Sequence, residues 1–286
     1  MRVALLANPR SGGSTETAAI EGRLVAHGAT VRALDDHDYD AGDADRIAVA
    51  GGDGSVGPAA QMAARARVAL AVIPTGTANN FARAMEIPDG VDEACALAAT
   101  GERLRPVELC RMDGRPFVNA ASAGLAVAAA RRAQPFKRAL GPLSYALGAA
   151  AAGLREPSAS CRVTCDGERL FEGRAWQVVV AGTGAFGPGS GVGPTDHRDG
   201  LFDVVVVEAG SRLALVRRAY GLQRGTITLQ DGVRHRRAAQ VEFEGPADFN
   251  VDGEIVSAGS STSFAIERAA FSLVVPAADT PRPAGP

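Results

Sequence analysis

The sequence predicts a doubly wound α/β domain with a mostly parallel sheet, followed by a mainly antiparallel β domain. Three observations predict it. Short apolar runs alternate with helical stretches through the first hundred residues, and beyond about Glu108 Asp-Gly pairs recur between strand-like runs. With 286 residues, 46% hydrophobic and 22% charged, the chain can also fill two cores of ordinary domain size.

Val3–Ala7, Thr30–Leu34, Arg46–Ala50 and Val68–Ile73 are near-continuous apolar runs, as strands covered on both faces require. Between them, Ser14 suits the cap of a helix running through Ile20 and Leu24 and stopped by Gly28, and Pro58 suits the first turn of a second. A third helix spans Val91–Thr100 and ends at Gly101. In the second half, "RMDGRP", "TCDGERLFEG" and "NVDGEIV" each set Asp-Gly between strand-like runs, the signature of hairpins. Helices are expected near Ala133–Leu154 and Ser211–Gln223, a last strand over Phe271–Pro276, and a disordered tail over 277–286. The domains are expected at 1–108, completed by the returning strand 271–276, and at 109–270.

Composition excludes several classes. A net charge of -2 and 5% aromatic residues give no field or stacking platform for nucleic acid. The first apolar run stops at Pro9, and Ala139–Leu154 falls short of a spanning helix, so no leader or transmembrane segment is expected and the protein should be cytoplasmic. Cys95, Cys110, Cys161 and Cys165 lack the spacing of a zinc site; strand alternation puts Cys161, Val163 and Cys165 on one apolar face.

Three turns share a location. "NPRSGG" follows the first strand, "GGDGSVG" the third and "PTGTANN" the fourth, so all lie outside the carboxyl ends of parallel strands, where open α/β sheets bind ligands. Glycine permits left-handed turns and close approach of backbone N–H groups, and a following helix N-terminus favours anions, so the three turns look like a nucleotide phosphate cradle. Gly52, Gly54 and Gly57 also fit G-x-G-x-x-G, but the next strand ends in Ile73 and Pro74 rather than in an acid that could hold a ribose. A carboxylate amid a phosphate loop needs a metal between, which points to a magnesium nucleotide rather than NAD.

With "VDGE" far downstream, "NPRSGG", "GGDGS" and "PTGTANNFAR" resemble the diacylglycerol kinase catalytic domain family, which includes bacterial diacylglycerol kinases, YegS-like lipid kinases and sphingosine kinases within an NAD kinase-like superfamily. The resemblance implies an α/β nucleotide domain, a β-sandwich-like domain and an active site in the interdomain cleft. It implies that Asn8, Ser11, Gly12, Gly51, Gly52, Asp53, Gly54, Ser55, Val56, Gly57, Thr75, Gly76, Thr77 and Asn80 surround ATP, with Asp53 near the phosphates through Mg2+. By place in the motif, Asp252 and Glu254 are the catalytic carboxylates, one acting as base; the competing reading is a hairpin with a charged tip.

In "PTDHRDGLFDV" the resemblance implies a structural magnesium held by Asp196, Asp199 and the carbonyl of Leu201, although the segment is a residue shorter than the usual pattern. Ser55 replaces the commoner Thr, Asn80 stands where many members have Asp, and Ala126 where the family often has Asp. The implied activity is ATP-dependent phosphorylation of a lipid hydroxyl, on a diacylglycerol-like or sphingoid acceptor met at a membrane surface, where the basic cluster Arg131–Arg138 could face headgroups. A homodimer is compatible with the chain. The alternatives are an NAD kinase-like small-molecule kinase and a non-catalytic nucleotide-binding relative.

Overall fold

The computed structural model describes residues 1–7, 9–34, 40–133, 158–183, 199–211, 214, 218 and 227–277, without the side chains of 9–15, 132, 133 and 227. Most of the helices expected near 133–154 and 211–223, and the tail beyond 277, lie outside the described residues. The chain divides into two compact units, Met1–Val107 with Ala269–Pro286, and Glu108–Arg268.

In the first unit β1 (Arg2–Ala7), α1 (Pro9–Ala26), β2 (Thr30–Leu34), β3 (Arg46–Gly51), α2 (Asp53–Ala66), β4 (Ala69–Pro74), α3 (Asn80–Ala84) and α4 (Val91–Thr100) follow in turn. β1 lies between β2 and β3, and β4 pairs with β3, all in parallel. α1 and α4 cover one face, on Val3, Leu5, Ala48, Ala50, Ala71 and Ile73, while α2 packs on β3 and β4. The strand order reverses at β1, so the turns after β1 and β3 diverge at the carboxyl edge, the place where such sheets take ligands.

Two helix starts differ from the sequence reading. α1 begins at Pro9, not at a Ser14 cap, because a proline lacks only an N–H that the first turn leaves unpaired anyway. α2 begins at Asp53 with Gly52 as N-cap, so Pro58 falls in its second turn; the glycine run is itself the first turn.

One buried cation holds this unit together. Arg46 is 5% exposed and its guanidinium donates to the carbonyls of Ala98 (2.7 Å) and Gly101 (2.8 Å), closing the C-terminal end of α4 on β3. Burial lowers its pKa, with Asp45 opposing. Arg46→Met strands those carbonyls and is expected to cost about 3 kcal/mol of unfolding free energy in a urea titration.

The second unit holds β5 (Leu104–Met112, begun in the first unit), β6 (Arg115–Phe117), β7 (Ala120–Gly124), α5 (Leu125–Ala133), β8 (Ala159–Cys165), β9 (Glu168–Ala181), β10 (Phe202–Glu208), β11 (Val233–Ala238), β12 (Gln240–Glu244), β13 (Asp248–Val251), β14 (Glu254–Ser257) and the start of β15 (Ser261–Val274). β9 is shared by two antiparallel sheets. Its N-terminal half pairs with β8, which leads to β12, β15, β5 and β6, and its C-terminal half lies between β7 and β10. Both sheets pack on one core, centred on Phe117, Phe202, Phe243, Phe249 and Phe264, whose rings meet at 5.2–6.5 Å. The three Asp-Gly pairs read as hairpins form tight turns with positive φ at both residues: 48° and 82° at 113–114, 50° and 80° at 166–167, 47° and 92° at 252–253.

β15 is longer than the sequence reading had it, continuous from Ser261, and Leu273 pairs with Leu70 of β4 in parallel, inside the first unit. The four cysteines are free and buried, and Cys161, Val163 and Cys165 share the core face. Burial pushes Cys95, Cys161 and Cys165 up to about 11. A raised folded pKa means that the neutral thiols' contribution is complete below the ordinary value of 9.0 and is lost as pH rises towards 11. Iodoacetamide at pH 8 is therefore expected to leave all four unmodified until denaturant is added. Among the described residues no helix is long and apolar enough to cross a membrane.

Candidate active site

At the carboxyl edge of the first unit, the turns after β3 and β4 are locked backbone to backbone. A Cβ on Gly76 would meet Gly52 Cα at 2.5 Å and the side chain of Asn79 at 2.8 Å, so only glycine fits. The Thr75 N–H donates to the Gly51 carbonyl at 3.1 Å, and the Ser55 N–H to that of Gly52 at 2.9 Å. None of Gly51, Gly52, Gly54, Gly57 and Gly76 has positive φ, so none of them makes a left-handed turn, contrary to part of the sequence expectation, and Gly52 and Gly76 serve close approach.

The left-handed residue is Asn79, at φ 49°. Its Oδ1 accepts the Gly76 N–H at 3.0 Å and its Nδ2 donates to the Gly76 carbonyl at 2.9 Å, closing the turn on itself. Asn79 was not among the expected site residues; asparagine's tolerance of this conformation, beside a Gly-Thr pair, was the available signal. Asp53 completes the lock. Its carboxylate accepts the N–H of Asn80 (3.1 Å) and of Phe81 (2.9 Å), tying the start of α2 to the start of α3.

The expected nucleotide residues thus divide. Gly52, Asp53, Thr75, Gly76 and Asn80 come together in this lock, with Gly54, Ser55, Val56 and Gly57 in the first turns of α2 and Thr77 exposed beside it. Val56 is 2% exposed within the core, so it can meet a ligand through its backbone alone. Ser11 and Gly12 lie on α1 without described side chains, and Asn8 lies outside the described residues.

In the second unit the Asp252 turn is docked on the chain entering β7. The Asp252 carboxylate accepts the N–H of Val118 (2.7 Å), Asn119 (2.9 Å) and Ala120 (3.1 Å). Asn119, 3% exposed, links this turn to the end of β9: its carbonyl accepts the Gly182 N–H at 2.8 Å, and its Oδ1 accepts the Thr183 hydroxyl at 3.0 Å. Asn119 and Thr183 were also missed, since nothing local in the sequence marks partners so far apart. Glu254 follows the turn, half-exposed, and its carboxylate pairs with Arg115 at 2.7 Å.

The Asp-Gly hairpin turns at 113 and 166 behave alike. Asp113 accepts the N–H of Ser263, and Asp166 those of Ala239 and Gln240. Docking an Asp on a neighbouring strand is therefore a general device of this unit. What distinguishes Asp252 is a third N–H donor and the buried Asn119–Thr183 pair beside it.

Of the expected magnesium set, Asp196 lies outside the described residues, Asp199 is engaged by Arg237, and Leu201 follows two residues on, its N–H donating to Asp199 Oδ1. Among the described residues no group of three or more acidic, His or Cys side chains is placed to hold a metal. Ala126 opens α5, its N–H donating to Gln177 Oε1 at 2.8 Å. Between α5 and strands β8, β9 and β12 lies an open cavity of about 170 Å³ of mixed lining, with Val127, Cys161 and Phe243 beside Arg131, Gln177 and Asp248.

A parallel α/β unit with interlocked glycine turns, joined to an antiparallel unit with a docked acidic hairpin, defines a two-domain protein of NAD kinase-like build. Residues 2–112 match the diacylglycerol kinase catalytic domain and residues 119–275 the YegS C-terminal NAD kinase beta sandwich-like domain. The chain belongs to this family. It is 38% identical over 104 residues to a protein of Pseudomonas aeruginosa named "Probable lipid kinase YegS-like", a match spanning 35% of this chain and only 34% of that protein. A protein of the same name from Alcanivorax borkumensis is 29% identical over 289 residues, 92% of each chain. The crystal structure of a diacylglycerol kinase from Bacillus anthracis superposes with a TM-score of 0.75 at 24% identity, covering 98% of both chains, which establishes the shared fold.

Proposed function

We propose that this protein is an ATP-dependent lipid kinase that transfers the γ-phosphoryl group to a lipid hydroxyl, on a diacylglycerol-like or sphingoid acceptor. The observation that carries the reading is the Gly52–Gly76 lock with its Asp53 tie, inside the segment that matches a kinase catalytic domain. In this reading the lock presents the first turn of α2 to the phosphates, where backbone N–H groups and the helix dipole favour negative charge. Magnesium arrives with the nucleotide, to neutralise charge on the moving phosphoryl group.

The acceptor hydroxyl loses its proton to a carboxylate of the "DGE" turn as its oxygen forms the new bond to phosphorus and the bond to the ADP oxygen breaks. Asp252 is held by three N–H donors and Glu254 by Arg115, so either would enter the reaction from a fixed position. The lipid acceptor would be met at a membrane surface.

The test offers labelled ATP and MgCl2 with detergent-dispersed diacylglycerol, sphingosine, a lipid extract or NAD. Label in the organic phase is the expected result. Label on NAD would replace this reading with a small-molecule kinase, and nucleotide binding without turnover on any acceptor would replace it with a regulatory protein.

A further inference from the structure

The segment Asp199–Leu201, which leads into β10, is held by arginine. Asp199 Oδ1 accepts the Leu201 N–H at 2.9 Å, the Arg237 guanidinium bonds Oδ2, and the Arg268 guanidinium bonds the Asp199 backbone carbonyl. Arg268 lies flat on this segment, since a Cβ on Gly200 would stand 1.9 Å from its Nε. The Gly200 N–H is accepted by Glu108, itself only 9% exposed. Arg237 Nε also lies 3.7 Å from Asp203, whose 8%-exposed carboxylate meets His235 Nε2 at 2.7 Å.

Magnesium demands near-octahedral oxygen ligands at about 2.0–2.1 Å and keeps a hydration shell. At Asp199 one carboxylate oxygen and the carbonyl already face guanidinium groups, and the other carboxylate oxygen faces an N–H. A divalent ion at this spot would meet two like charges and would have to displace both. Asp199, the described side chain of the implied set, does not fit the metal that the family resemblance implies here.

We propose that in this chain Arg237 and Arg268 take the place of a structural magnesium at Asp199, so that the entry to β10 is held by internal cations and the fold is indifferent to divalent metal. Any magnesium requirement would then lie with the nucleotide alone. The proposal is independent of which acceptor is phosphorylated, and its tests read stability and metal content rather than turnover.

Thermal unfolding without nucleotide, in EDTA and in millimolar MgCl2 matched for ionic strength with NaCl, is expected to give the same midpoint. Elemental analysis of protein gel-filtered from MgCl2 should find magnesium far below one equivalent. Arg237→Ala and Asp199→Asn should each lower the midpoint, and the double variant should fall no further than the larger of the two, the behaviour of one shared contact. Stoichiometric magnesium in the wild type, a midpoint that rises with MgCl2 and loses that response in Asp199→Asn, or additive effects in the double variant would each overturn the proposal. Should a variant fail to fold, the wild-type metal content and EDTA comparison still decide.

Discussion

Gly76→Ala is expected to abolish nucleotide binding and turnover together, by about 100-fold or more, since small displacements of a phosphate-bearing loop carry penalties of that order. The added methyl would stand 2.5 Å from Gly52 Cα and 2.8 Å from the Asn79 side chain, and the nearest of these atoms is backbone that cannot rotate away. The turn after β4 must therefore lift off the turn after β3, breaking the Asn79–Gly76 ring. Overpacking of this kind also costs about 1–3 kcal/mol, measurable by urea denaturation. Gly52→Ala is the internal comparison. Its methyl would sit 3.3 Å from Gly76 Cα, a contact relieved by a few tenths of an ångström, and a smaller loss is expected. Equal losses in the two variants would mean that the lock is not what holds the site.

Asp252→Asn should lower turnover by about 10²–10⁴-fold if its carboxylate is the base, the usual range for general acid–base groups. Stability falls too, because the three N–H donors span both oxygens and the amide must turn its NH2 towards at least one of them, at about 1–3 kcal/mol. The control is Asp166→Asn, at a turn of the same geometry whose carboxylate accepts the Ala239 and Gln240 N–H groups. It is expected to lose stability and keep specific activity. If Asp252→Asn also keeps specific activity after correction for the folded fraction, Asp252 is a structural clasp like its counterpart, and Glu254 becomes the base to test.

Much of the architecture was readable because it depends on local pattern. Apolar runs matched the parallel strands to within a residue or two, and Gly101 ended α4 where the sequence stopped its helix. The Asp-Gly pairs at 113, 166 and 252 each gave a hairpin turn, since those two residues accept positive φ at least cost. The helix starts were misread where two signals competed. Ser14 and Pro58 both look like beginnings, but the chain had already entered a helix at Pro9 and at Asp53.

The site was legible as composition and not as contact. The glycine turns stood out, yet their purpose in the structure is mutual approach between positions 52 and 76, which no window of sequence displays. Asn79, Asn119 and Arg46 act through backbone groups 3, 63 to 64 and 52 to 55 positions away, so only Asn79 offered a local hint. Asp199, a magnesium ligand by resemblance, is bonded by Arg237, which arrives on a strand 38 positions later and which nothing near Asp199 in the sequence announces.

The path of β15 bears on how the protein is made. Leu273 completes a sheet whose neighbouring residue, Leu70, was synthesised roughly 200 residues earlier. At about 5–20 residues/s the ribosome needs on the order of 10–40 s to supply that last strand. Until then β4 presents an open apolar edge to the cell, the kind of template on which nascent chains pair with one another. A fragment ending near Val107 is on this account a sticky product at any temperature, and growth conditions that slow translation should lower the yield of folded protein more than conditions that slow transcription.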